Sequence, residues 1–223
     1  MQTRNEEKSS RHWPMLVFAD VENVVAALHD IEDGDRPALR ARLKQFARRG
    51  VPSSANVGSG RAVTYSFGDL FQVVLAVEFV QLALTTDRAA ALVAYWWPRG
   101  LYKVAWLSYR AFADPVVIVL RLEGYDGLEK TSSIEAFQAR SVAEHPDAAP
   151  TVAFGRFSQA FGVDGVYPVG NPDVFKRVSL VNTTGLVMRL RRILNEHELV
   201  NYDVFHEACY SEPVALDENI VRL

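Results

Sequence analysis

Seven basic side chains lie in one segment of the sequence, Arg36–Phe67, which contains no Asp or Glu. Because the formal net charge of the whole chain is −3, these seven charges leave −10 on the rest of it. Guanidinium and ammonium groups bind anions, and a positive segment on an acidic protein favours a polyanionic partner such as nucleic acid. The seven residues are Arg36, Arg40, Arg42, Lys44, Arg48, Arg49 and Arg61.

The spacing within the first half of this segment predicts a helix. Leu39, Leu43 and Phe46 follow one another at intervals of four and three residues, which places them on one helical face. Asp35 can cap the start of this helix, and Pro37 suits its first turn. Four basic residues recur at every fourth position on another face, namely Arg36, Arg40, Lys44 and Arg48.

A turn-rich stretch follows the helix and predicts a short hairpin. Gly58-Ser59-Gly60 forms its tip, Arg61 comes just past the tip, and Val63–Tyr65 is prone to β-structure. A basic helix and a small hairpin have the shape of a winged helix-turn-helix, whose helix enters the major groove of DNA. We therefore assign groove contacts to Arg36, Arg40, Arg42 and Lys44, and phosphate contacts to Arg48, Arg49 and Arg61.

Over roughly Val21–Trp97, the chain resembles the MerR-like winged-helix domain. The resemblance rests on Leu43-Lys44-Gln45-Phe46-Ala47-Arg48-Arg49-Gly50-Val51, a Gly-containing wing, Tyr65-Ser66, and Asp69-Leu70 at the start of an apolar helix. The family has Arg in place of Lys44, an aromatic residue in place of Gln45, and a wing with the shorter spacing Arg-x-Tyr-Ser. The resemblance implies a sequence-specific, DNA-binding transcription regulator, and it adds Tyr65 to the expected DNA contacts.

Three further helices are predicted around the basic helix. Phe18–His29, with apolar residues at helical spacing, is expected to be the first helix of the helix-turn-helix, joined to the basic helix by an acidic turn. Ser66 and Asp69 resemble a capping box and begin the next helix. The last of the three runs from Asp87 to Trp97. The resemblance implies that these last two helices pack across the back of the basic helix.

Pro98 marks the boundary between two predicted domains. We expect a disordered tail over residues 1–13, a mostly helical winged helix-turn-helix over 14–97 and a small α+β domain over 98–223, so that the fold class is α+β. In the second domain Arg99–Phe112 fits a helix or a strand. The other predicted elements are strands at Val116–Leu122, Thr151–Phe157 and Lys176–Val181, a loop at Gly162–Asp173, and helices at Ser132–Glu144 and Thr184–Asn195.

Two apolar surfaces in the sequence are available to join two copies of the chain. They are the aromatic residues between Tyr95 and Phe112, which also fit an inter-domain core or a ligand pocket, and the helical face Leu186–Leu194. One basic helix covers only a few base pairs, so we expect a homodimer on an inverted repeat of double-stranded DNA. The second domain is expected to serve dimerisation, effector sensing or contact with RNA polymerase.

Other classes of protein receive little support from the sequence. The single cysteine, Cys209, excludes an internal disulfide framework. No run is long enough to cross a membrane and the N-terminus lacks a signal-peptide core, so we expect a cytoplasmic protein. The spacing of the potential metal ligands at the C-terminal end matches no known site, so we expect neither a metal nor a cofactor. These ligands are His197, Glu198, His206, Glu207 and Cys209.

No common catalytic motif occurs, so we expect no enzymatic activity. Two alternatives to transcription regulation remain open at this point. One is an architectural or recombination-directionality factor of a phage or mobile element, which would use the same DNA-binding surface. The other is a ligand-binding or enzymatic second domain that a helical module merely accompanies.

Overall fold

Helices dominate the part of the chain that a computed structural model describes, which is residues 13–54, 63–110, 116–121, 152–156 and 178–210. The helices are α1 (Phe18–Leu28), α2 (Arg36–Arg48), α3 (Phe67–Gln81), α4 (Thr86–Trp96), α5 (Lys103–Arg110), α6 (Thr183–Glu196) and α7 (Tyr202–Tyr210). The strands are β1 (Leu16–Val17), β2 (Thr64–Tyr65), β3 (Val116–Arg121), β4 (Val152–Arg156) and β5 (Val178–Asn182). The coarse α+β class is thereby confirmed.

The predicted helices around the basic segment are present. Helix α1 ends at Leu28, one residue before the predicted end, and α2 begins at Arg36 with Pro37 in its first turn. Three apolar residues of α2 are buried, as their spacing indicates: Leu39, Leu43 and Phe46. Helices α3 and α4 both contact α2, as expected of helices that support its inner face.

Two short strands, of which the sequence predicts only the second, join the chain before α1 to the chain before α3. Leu16 of β1 lies opposite Tyr65 of β2, and Val17 lies opposite Thr64, in antiparallel register. The predicted hairpin is thus corrected in one respect, because its described strand pairs with β1. Val51–Ser54 forms bends and turns, and residues 55–62, including Arg61, lie outside the described part of the chain.

Helix α3 is the central element of the first half. Residues Leu70–Val77 are all buried, because α3 is apolar around almost its whole circumference. The predicted Ser66–Asp69 capping box is confirmed: the backbone N–H of Asp69 donates to Ser66 Oγ at 3.2 Å, and that of Ser66 donates to Asp69 Oδ2 at 2.9 Å. A helix buried on all sides gives α2 a fixed support.

The second half contains a three-stranded antiparallel sheet with β3 in the centre, between β4 and β5. All three predicted strands are present, and the ambiguous Arg99–Phe112 segment contains helix α5. The predicted helix Ser132–Glu144 and loop Gly162–Asp173 lie outside the described residues, as does Phe112. The division into domains at Pro98 stays a prediction.

Helix α6 packs against α5, α1 and β3 with its apolar face inward. The residues of this face are all buried, and they are Leu186, Val187, Leu190, Ile193 and Leu194. They belong to one buried cluster that also includes residues of α1 and α3. The expectation that this face could join two copies is therefore wrong, because the same chain already covers it.

Replacing Leu190 tests this placement. We expect Leu190→Ala to lower the free energy of unfolding by about 2–5 kcal/mol, because it opens a cavity at a fully buried position. Urea unfolding measures this loss, and light scattering should show the same mass for the variant and the wild type. Arg192→Ala on the exposed side of α6, where Arg192 faces Glu196 at 3.7 Å, is the matched control and should change little. A variant that is stable but changes its oligomeric state would contradict the assignment.

Candidate nucleic-acid interface

The basic residues of α2 divide into groups according to their position around the helix. At about 100° per residue, Arg40, Lys44 and Arg48 follow one another in steps of about 40°, from Arg40 at the edge of the buried face to Arg48 on the side opposite it. Arg42 lies about 160° from Lys44 around the axis. The basic residues of α2 therefore do not form a single surface.

Arg40 is held by a carboxylate of α1. It donates from Nε and Nη2 to the two carboxylate oxygens of Glu22 at 2.7 and 3.0 Å. The side chain of Glu22 is 6% exposed, whereas that of Arg40 is 57% exposed. The hydrogen bonds from Arg40 to Glu22 raise the pKa of Arg40 above its ordinary value. The pair therefore fixes α1 against α2 while part of the guanidinium remains at the surface.

Arg49 and Arg36 are also engaged within the chain. Arg49 donates from Nε and Nη2 to both oxygens of Asp87 on α4 at 2.9 and 3.1 Å, and Gln45 donates to the same carboxylate at 2.9 Å. Arg36 donates to Asn23 Oδ1 at 2.9 Å and lies 3.7 Å from Asp33. Their first role is thus to join α2 to its neighbours, and the predicted phosphate contact of Arg49 would have to compete with Asp87.

Arg42 faces an acidic environment. Together with Asp30, Glu32 and Asp35 it lines an open depression of about 400 Å³ between the turn that precedes α2 and the end of α3. Phosphate groups are repelled by these carboxylates. The groove contact of Arg42 stays a prediction, and its side of the helix is not the one that carries Lys44 and Arg48.

Lys44 and Arg48 are exposed. Among the described residues neither has an acidic partner within ion-pair distance. Together with the exposed part of Arg40 they form a cationic face that is one residue wide and about two helical turns long. We call Arg40, Lys44 and Arg48 the cationic face of α2.

Tyr65 lies in the core with 4% of its surface exposed. Burial and the nearby Asp69 raise the pKa of its hydroxyl group. The expected DNA contact of Tyr65 is therefore wrong for this position. Its role is structural, since it lies opposite Leu16 in the β1–β2 pair and belongs to the buried cluster.

Asp69 holds both ends of the segment that contains Arg61. Ser54 Oγ donates to Asp69 Oδ1 at 2.5 Å, and Ser66 Oγ donates to Asp69 Oδ2 at 2.7 Å. The backbone N–H of the neighbouring Ser53 donates to Gln72 Oε1 at 3.0 Å. We call Ser54, Ser66 and Asp69 the Asp69 clasp. It fixes where the chain leaves α2 and where it returns to α3.

A second group of charges lies at the other end of the turn between α1 and α2. Arg189 of α6 donates to Asp30 Oδ1 at 2.6 Å and to the Ala27 carbonyl at 3.4 Å, close to the C-terminal end of α1. His29 Nδ1 lies 3.8 Å from Glu78 of α3, and the His29 side chain is 7% exposed. Arg189 thus supplies the positive charge that a helix C-terminus favours, from a distant element.

Sequence reasoning did not find the acidic residues that hold the arginines. Glu22 had a detectable signal, because it precedes Val25 and Ala26 by three and four residues and so lies at the edge of the buried face of α1. Asp87 had none, since it is 38 residues from its partner Arg49. The spacing of residues in a sequence therefore does not predict an ion pair between distant segments.

Comparisons with known proteins do not assign the chain to a family. No protein-family model matches the sequence, and no curated protein shows significant similarity to it. Among the described residues, no group of His, Cys, Asp and Glu is arranged to hold a metal ion. None of the described helices combines the length and apolar character that crossing a membrane requires.

We expect Arg40→Ala to destabilise the fold more than Lys44→Ala. Arg40→Ala leaves the buried Glu22 carboxylate without its hydrogen-bond donors, and such an unpaired buried group costs about 1–3 kcal/mol. Lys44→Ala removes an exposed side chain and should change stability by no more than about 0.5 kcal/mol. Thermal unfolding of both variants measures the difference. Glu22→Gln combined with Arg40→Gln should recover part of the loss, and equal melting temperatures of the two single variants would contradict the role of Arg40.

The stability of the fold should depend on the protonation of His29. Burial and, to a smaller extent, the positive charge of Arg189 lower the pKa of His29 from 6.5 to about 4, against the opposing effect of Asp30. The unfolded chain therefore binds this proton at higher pH than the folded chain. The contribution to stability is complete above about pH 6.5, is lost as the pH falls towards 4, and amounts to about 3 kcal/mol.

Urea unfolding of the wild type and of His29→Gln at pH 7, 5.5 and 4.5 isolates this contribution. The free energy of unfolding of the wild type should fall more steeply with decreasing pH than that of the variant, because only the wild type titrates at this position. Parallel pH profiles would show that His29 is accessible to protons in the folded protein.

Proposed function

We propose that this protein is a sequence-specific, DNA-binding transcription regulator that inserts α2 into the major groove. The observation that carries the proposal is the cationic face of α2. Its three cations recur once per helical turn, and the opposite side of the helix is buried against α1 and α3. A rigid helix with one cationic side is what groove binding requires.

Fewer residues are proposed to contact DNA than the number of basic residues in the segment indicates. Lys44 and Arg48 are exposed and are the principal candidates, and Arg40 adds the part of its guanidinium that Glu22 does not use. Arg36 and Arg49 act mainly by fixing α2 against α1 and α4. Six acidic residues and no Lys or Arg occur in residues 18–35, so DNA would approach α2 away from this turn.

The proposal includes a wing because of the Asp69 clasp. It holds Ser54 and Ser66 on one carboxylate, so the segment between them, with Arg61, starts and ends beside the N-terminus of α3. A short segment with fixed ends beside a recognition helix suits contact with the adjacent DNA backbone. The MerR-like resemblance is consistent with the order of β1, α1, α2, β2, α3 and α4 along the chain.

The homodimer and the contact with RNA polymerase remain part of the proposal. The apolar face of α6 is used within the chain, so a dimer interface has to be found elsewhere. A palindromic DNA site with half-sites a whole number of helical turns apart would be the signature of two-fold pairing.

Selection of bound sequences from a random duplex library, with the full chain, tests the proposal. We expect one enriched motif, and an affinity that falls with salt at a log–log slope of about −2.7 or steeper if the three cations of the face each neutralise a phosphate. Lys44→Ala should weaken binding to the motif about 5- to 150-fold, because a lost base contact costs about 1–3 kcal/mol.

Arg192→Ala is the matched control for the loss of one positive charge, since Arg192 lies on α6 beside Glu196. It should bind the motif as the wild type does. The proposal fails if no motif is enriched and affinity does not depend on salt. It also fails if Lys44→Ala and Arg192→Ala have equal effects.

A further inference from the structure

A second cationic surface lies along α4 and α5. Between Asp87 and Asp114 the sequence contains four Arg or Lys residues and no Asp or Glu. Aromatic and basic residues alternate there along the end of α4, the turn that follows it and α5. We call this surface the aromatic–cation stripe, and its residues are Tyr95, Arg99, Tyr102, Lys103, Trp106 and Arg110.

Each aromatic ring of the stripe carries a cation. The guanidinium carbon of Arg99 lies 3.8 Å from the centre of the Tyr95 ring, and that of Arg110 lies 4.6 Å from the Trp106 ring. Lys103 Nζ lies 5.8 Å from the Tyr102 ring. These distances are within the range of cation–π contacts. The rings therefore hold the cations in defined positions at the surface.

The position of the stripe connects it to the proposed DNA-binding helix. The N-terminal end of α4 is fixed to the C-terminal end of α2, because Asp87 binds both Arg49 and Gln45. From Asp87 to Tyr95 the helix rises about 12 Å, and from Lys103 to Arg110 it rises about 10 Å. The latter length equals about three phosphate intervals along one DNA strand.

We propose that the aromatic–cation stripe is a second DNA-binding surface, which binds backbone phosphates of duplex DNA next to the site that α2 reads. This inference rests on the proposed function and extends the footprint beyond the helix. Lys103 and Arg99 have N–H groups that can donate to phosphate oxygens, and one N–H group of Arg99 already donates from Nη1 to the Tyr95 carbonyl at 2.6 Å. The rings restrict these cations in advance, so that less conformational entropy is lost on binding.

Charge complementarity favours DNA over the other occupants of such a surface. Two copies that met through the stripe would bring like charges together, which opposes the pairing. A membrane would require the rings to insert into the lipid, whereas here cations cover them. The phosphates of a duplex can bind the cations without any contact to the rings.

Binding of the full chain to two duplexes tests the stripe. One duplex contains only the motif selected by the wild type, and the other adds about 10 base pairs on each side, roughly one helical turn. Lys103→Gln and Arg99→Gln should each lower affinity for the long duplex about 3- to 10-fold at low salt and reduce the salt slope by about 0.9. Neither should change affinity for the short duplex or the sequence preference.

Two control variants distinguish the loss of charge from a loss of folding. The outcomes also distinguish a failure of this inference from a failure of the proposed function. Lys103→Arg should bind the long duplex as the wild type does, and Arg192→Gln should also leave binding unchanged. If the wild type binds its motif but Lys103→Gln matches Arg192→Gln on the long duplex, the inference is wrong and the proposed function stands. If the wild type binds no duplex, both are wrong. Loss of binding to phosphatidylserine vesicles by Lys103→Gln, without a loss on DNA, would make the stripe a membrane surface instead.

Discussion

The carboxylate of Asp69 is the interaction on which the geometry of the first half depends. One oxygen accepts a hydrogen bond from Ser54, and the other accepts from the hydroxyl and backbone N–H groups of Ser66. The carboxylate is 7% exposed, and a buried charge is tolerated only when several donors satisfy it. The same residue therefore begins α3, ends the turn after α2 and closes the segment that carries Arg61.

A helix with many cations has to be held in place without losing all of its charge. Here the two functions are divided around α2: Glu22 and Asp87 accept bidentate hydrogen bonds from Arg40 and Arg49, while Lys44 and Arg48 remain exposed. Arginine suits the first task because its planar group matches a carboxylate with two parallel hydrogen bonds. Fewer positive charges are therefore available to bind a polyanion than the number of basic residues in the segment indicates.

The sequence predicts those helices and strands whose apolar residues recur at a regular spacing. Helices α1 to α4, and strand β3 with its apolar run, agree with the predicted elements to within a few residues. The pairing of β1 with β2 could not be predicted, since two-residue strands have no recognisable alternation. Within the candidate site, the exposed Lys44 and Arg48 follow from the helical period. The burial of Tyr65 and the acidic surroundings of Arg42 depend on contacts between distant segments, about which local spacing carries no information.

The packing of α6 relates the two halves of the chain. Arg189 binds Asp30 in the turn between α1 and α2, and Leu190, one residue later, is fully buried in the cluster that includes Val25 of α1. Asp30 has a positive φ of 51°, a left-handed conformation that Asp adopts more readily than most other non-glycine residues. The hydrogen bond from Arg189 joins this turn, which leads into α2, to a helix about 160 residues further along. The two halves of the chain therefore meet beside the start of the helix that carries the cationic face.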